Sequence, residues 1–94
     1  MKELSQIRLE LDAIDRQLTA LYEERMLLAR QVAAYKIAHG LPVLDARREQ
    51  QVIASRRSFL KDPHWADGLE KVFETIMAQS RQEQQRLTEE ASAP

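Results

Sequence analysis

The sequence has no cysteine, two glycines, three prolines and five aromatic residues among its 94 positions. Without thiols, neither disulfides nor thiolate metal sites can form. The two histidines, His39 and His64, stand beside turn signals and outside any spaced ligand motif, so no metal ion is expected. No sign of charge is in excess either. Fourteen basic residues face fifteen acidic ones, a net charge of -1, which offers no footprint for nucleic acid or an anionic membrane. No apolar run spans a bilayer. The N-terminus, Met1-Lys2-Glu3-Leu4, lacks the apolar core of a signal peptide, and the expected compartment is the cytoplasm.

What remains is a composition suited to one globular domain over residues 1–94, 44% hydrophobic and 31% charged. Chain breaks are few. In His39-Gly40-Leu41-Pro42, Gly40 suits the position after a helix end and Pro42 follows it. In Asp62-Pro63, the aspartate can cap and the proline can open a new helix. Three helices are therefore expected, over about residues 2–38, 45–60 and 63–87, with Asp45 capping the second and the polar tail 88–94 frayed. The first carries Leu4, Ile7, Leu11, Ile14, Leu18, Leu21, Leu28 and Val32 in alternating steps of three and four, a heptad seam. The third carries Leu69, Val72, Phe73, Ile76, Met77 and Leu87.

Length argues for a partner. The first helix would extend about 50 Å at 1.5 Å per residue, while a compact domain of this size has a radius of gyration near 13 Å. Two short helices cannot cover such a rod. A second copy of the chain, in a symmetric dimer, is the commonest way to bury the seam. An ordinary coiled coil is the plainer alternative.

Polar residues interrupt these apolar faces. Arg25 takes a seam position between Leu21 and Leu28. Lys36 lies one step beyond Val32 and Ala33. Ser80 and Gln84 continue the stripe of the third helix. Arg48 stands beside Val52, with Asp45 one turn earlier. Burying an unpaired charge costs several kcal/mol. Each residue alone has an ordinary explanation: Arg25 could pair with a carboxylate or reach water, and Lys36 could serve the helix dipole. Arg48 could pair with Glu49, and Ser80 and Gln84 could satisfy each other. Together, three cations and two neutral donors facing one bundle interior make the inventory of a pocket for a small polyanion, with arginine suited to bidentate carboxylate contacts. No thiol, no histidine on the stripes, no Ser/His/Asp set and no glycine-rich phosphate loop accompanies them. The carboxylates Asp45 and Glu49 are flanked by arginines, so neither is set up as a proton donor. Chemistry resting on shape and electrostatics fits this inventory better than nucleophilic or acid–base chemistry.

The ordered set Arg8, Arg25, Lys36, Asp45, Arg48, Glu49, Ser80, Gln84 resembles the all-helical (type II) chorismate mutases. The local strings that carry the likeness are Ile7-Arg8, Ile14-Asp15, Glu24-Arg25-Met26-Leu27-Leu28-Ala29, Gly40-Leu41-Pro42-Val43-Leu44-Asp45, Arg47-Arg48-Glu49 and Ile76-Met77-Ala78-Gln79-Ser80. They span most of the chain, from Leu4 to Gln85. The resemblance implies an all-α fold, one long and two shorter helices per chain intertwined in a homodimer, and rearrangement of chorismate to prephenate without a cofactor in phenylalanine and tyrosine biosynthesis. It further implies that Arg8 is donated across the dimer interface, and that Arg25 and Arg48 hold the substrate carboxylates with it. Lys36 would contact a carboxylate and the ether oxygen, and Gln84 the same oxygen. Glu49 would accept from the ring hydroxyl, with backbone help near Asp45, and Ser80 would touch a carboxylate. Catalysis would rest on Lys36, Gln84 and Arg25. Three alternatives stay open. One is a lyase of the same fold that splits isochorismate into salicylate and pyruvate, against which Glu49 speaks. The others are a regulatory domain of a shikimate-pathway enzyme and a non-enzymatic helical adaptor.

Overall fold

The computed structural model describes residues 1–94. Helix α1 runs Leu4–Ala38. No glycine or proline occurs before Gly40, so nothing interrupts it. At its start the Gln6 side chain reaches back to accept from the backbone N–H of Glu3 at 3.3 Å. Its end is a Schellman motif: Gly40 takes a φ of 64°, Leu41 N–H donates to the Lys36 carbonyl at 2.8 Å, and Gly40 N–H donates to Ile37 at 3.4 Å. Gly40 thus occupies the position read from the sequence.

Helix α2 runs Ala46–Phe59, and Asp45 caps it by accepting from Arg48 N–H at 3.0 Å. The third helix departs from expectation at both ends. Asp62 accepts from His64 N–H at 2.9 Å, and the tight turn this enforces makes Pro63–Trp65 a 3₁₀ turn, with helix α3 beginning after it at Ala66–Ser92. The tail does not fray at residue 88. Helix α3 continues to Ser92, held by Arg86 on Glu90 at 2.6 Å, Thr88 Oγ1 on the Gln84 carbonyl at 2.8 Å and Ser92 Oγ on the Thr88 carbonyl at 3.0 Å. These are four-residue contacts that a polar composition hid.

The C-terminal half of α1 and the whole of α2 pack on α3. Ala29 and Ala33, both buried, let the α3 backbone come close. Arg30 bridges α1 to Glu83 of α3 at 3.0 Å, and Arg57 bridges α2 to Asp67 and Glu70 at 3.0 and 3.1 Å. Hydrogen bonds from Arg86 and then Arg30 hold the Glu83 carboxyl below its ordinary range. Such exposed pairs set register more than they add stability.

The N-terminal half of α1 has no partner within the chain. Every residue from Met1 to Glu24 is exposed, including the seam residues Leu4, Ile7, Leu11, Ile14, Leu18 and Leu21. The radius of gyration is 17.0 Å, against about 13 Å for a compact chain of this length. The exposed surface is 7724 Å², whereas a compact monomer of this mass exposes about 5,600 Å². No helix is long and apolar enough to cross a membrane.

Candidate active site

Only seven residues are buried, and five of them, Ala29, Val52, Met77, Ser80 and Gln84, also line one cavity of about 320 Å³. The cavity lies where the C-terminal half of α1, the first turns of α2 and the middle of α3 converge. Seven of the eight residues singled out in the sequence line it: Arg25, Lys36, Asp45, Arg48, Glu49, Ser80 and Gln84. Arg8 does not. It is exposed on the free arm of α1, seventeen residues before Arg25, which is about 26 Å along the helix.

The local fold explains each placement. Arg25, Ala29, Val32 and Lys36 follow helical spacing along one face of α1. The Schellman turn after Lys36 folds the chain back, so that Lys36 Nζ donates to the Val43 carbonyl at 2.7 Å. That bond uses one of three ammonium donors and fixes where the other two can point. The Asp45 cap orients the first turn of α2, which carries Arg48 and Glu49 toward the cavity. Asp45 itself is exposed, with its carboxylate committed to the cap.

The ordinary explanations can now be weighed. No carboxylate lies within ion-pair distance of Arg25, Lys36 or Arg48, whereas seven other ion pairs form in the chain. The Arg25 guanidinium is held below its usual pKa, first by burial and then by repulsion from Arg56 and Arg48. It stays charged at neutral pH, so the site holds cations that repel one another and lack an anion. Gln84 donates through Nε2 to Ser80 Oγ at 3.0 Å, but its Oε1 is buried without a partner. The pair is therefore only half satisfied, which is costly for a purely structural contact.

Arg48 does not pair with Glu49. That carboxylate is taken by Arg81 of α3 in a short ion pair, and Arg81 also lines the cavity. Sequence reasoning missed Arg81. Its signal was there, since Arg81 lies four residues after Met77 on the buried stripe, but its partner is thirty-two residues away in the chain. With Arg81 counted, four cations face two carboxylates around the cavity, a formal charge of +2. Neither a thiol nor a histidine lines it. The arrangement can hold a small dianion and present fixed N–H donors to it.

Comparison with known proteins agrees with this geometry. Residues 7–85 match the chorismate mutase type II family. The chain is 36% identical over 81 residues to the T-protein of Haemophilus influenzae, covering 85% of this chain and 22% of that protein. It therefore spans about a fifth of that relative. It is 29% identical over 91 residues to the chorismate mutase of Methanocaldococcus jannaschii, covering 96% of this chain and 92% of that one. The T-protein of Enterobacter agglomerans is 36% identical over 55 residues, 58% of this chain and 15% of that protein. No solved structure matches significantly. Residues 7–85 comprise most of the chain and include every cavity residue named above, and the chain belongs to the chorismate mutase type II family.

Proposed function

We propose that the protein rearranges chorismate to prephenate, and that it does so as an intertwined homodimer in which each site takes Arg8 of the partner subunit. The observation that carries the reading is the set of unpaired cations, Arg25, Lys36 and Arg48, gathered with the half-satisfied Gln84 amide around one cavity. Chorismate is a dianion, and the formal charge of the cavity is equal and opposite.

The reaction is an intramolecular pericyclic shift. One C–O bond breaks, one C–C bond forms, and no proton or group is exchanged with solvent. The enolpyruvyl arm must sit over the ring for this to happen. Arg25 and Arg48, with Arg8 of the partner subunit, hold the two carboxylates in that geometry, and Ser80 touches one of them. Glu49 accepts from the ring hydroxyl beside the backbone near Asp45. As the C–O bond stretches, negative charge grows on the ether oxygen, where Lys36 and Gln84 are pre-positioned donors. Gln84 reaches that role by a half-turn of its amide, after which Ser80 donates to Oε1 and Nε2 is free. The absence of a histidine or thiol is no obstacle to such chemistry.

The partner is argued from surface. Each chain exposes about 2,100 Å² more than a compact monomer of its mass. Covering that excess on two chains gives about 4,200 Å², inside the range of obligate dimers. Arg8 is too far along α1 to reach the cavity of its own chain, so only a second copy can supply it. Spectroscopic assay of chorismate loss and prephenate formation on purified protein tests the reading. Turnover of isochorismate to salicylate and pyruvate, with none of chorismate, would replace the mutase by the lyase of the same fold.

A further inference from the structure

The cavity has a wall with a role of its own. A second, more open pocket of about 440 Å³ lies on the outer side of α2 and α3, and it shares three lining residues with the substrate cavity: Glu49, Met77 and Arg81. The Glu49–Arg81 ion pair is thus the polar part of the partition between the two spaces. Glu49 and Arg81 are both half-buried, and Glu49 has no other ion-pair partner. Without Arg81, the Glu49 side chain has two spaces open to it and nothing to choose between them.

We propose that Arg81 is a positioning residue for the rearrangement: it pins Glu49 in the wall with one carboxylate oxygen bound, leaving the other to meet the substrate, and closes the cavity toward the outer pocket. This rests on the chorismate reading of the site. Arg81 is distinct from Arg25, Lys36 and Arg48, because it is the one cation of the cavity already neutralised by a carboxylate. Its contribution is made through Glu49 and not through a substrate carboxylate. Arginine suits the task, since its planar fork fixes the carboxylate in direction as well as distance.

The test is a double-mutant cycle on the intact dimer, with kcat and KM measured for wild type, Arg81→Met, Glu49→Gln and the double variant. Methionine keeps the unbranched packing stem. Arg81→Met is expected to lower kcat/KM about tenfold to a hundredfold, the range for losing a well-placed charge-assisted hydrogen bond. The double variant should fall within about twofold of the worse single one, because both substitutions remove the same contact. Arg81→Lys should restore part of the loss by keeping the charge without the fork. A merely structural Arg81 would lower Tm while leaving kcat per folded dimer intact, and that outcome overturns the proposal. Losses that multiply in the double variant also overturn it, since they would mean Arg81 acts independently of Glu49. Wild-type protein that ignores chorismate sinks the reading of the site itself. Active wild type with a normal Arg81→Met variant sinks only this inference.

Discussion

Mixing two crippled variants should rebuild activity if Arg8 is supplied across the interface. Arg8→Ala leaves the cavity of its own chain complete and harms the site on the partner. Lys36→Ala harms only its own. Each homodimer then has two defective sites, and losing a fixed donor costs about 10²–10³ in rate. In a mixed dimer the two defects fall in the same site, and the other site has both residues. Random pairing of equal amounts makes half the dimers mixed with one sound site each, so about a quarter of wild-type activity should return. The argument has a geometric floor: Arg8 is seventeen residues before Arg25, about 26 Å along an uninterrupted helix, several times the reach of its side chain. The variants would be unfolded together in denaturant, refolded, and assayed for prephenate formation. Arg25→Ala mixed with Lys36→Ala is the control, because each site then keeps one defect and no activity should return. Recovery no greater than the sum of the two parents would refute donation across the interface.

Leu18→Glu keeps helix propensity but places a carboxylate on each side of the seam. Losing two partly buried leucines and desolvating two charges costs roughly 4 kcal/mol or more, weakening the dimer about a thousandfold. Analytical ultracentrifugation should show monomer at micromolar concentration, with activity lost alongside. Lys36→Ala and Arg25→Ala should each lower turnover by at least about a hundredfold while sedimentation stays dimeric. Near-normal rates in either would remove that residue from the site. Gln84→Glu should move the pH optimum down. The introduced carboxyl donates only when protonated, so activity is present below its pKa and lost as pH rises through it. An unchanged pH–rate profile would take the donor role from Gln84.

Much of this was legible before any coordinates. Gly40, Pro42, Asp45, Asp62 and Pro63 mark the helix ends through backbone rules that act within one or two residues. The heptad seam set the length of α1, and the polar interruptions named seven of the cavity residues. What escaped were effects that depend on neighbours across space. The Glu49–Arg81 pair joins two helices, and its partners are thirty-two residues apart. The run of α3 to Ser92 depends on side chains bonding to the turn before, as Thr88 does to Gln84, in a segment whose small polar residues read as loop. The 3₁₀ turn at Pro63–Trp65 follows from Asp62 bonding two residues on, a choice between two tight geometries that the proline alone does not make.

The overlap between core and cavity explains why the chain needs its length and its partner. A chain of this size has little surface to bury at best. Here five of the seven buried residues face the cavity, so the place where apolar packing would ordinarily hold the three helices together is given to cations and amides. Arg25, Arg48 and Lys36 repel one another there, and burial of Arg25 adds to the cost. A single chain has few means to offset this, because its apolar seam, from Leu4 to Leu21, touches nothing of its own. Pairing two seams supplies the missing apolar burial and, on this reading, brings Arg8 of the partner subunit to a site already positive. That last addition is favourable only when a dianion occupies the cavity. Bound substrate should therefore tighten the dimer as well as stabilise each chain, since by linkage whatever binds the assembled site best also favours assembly.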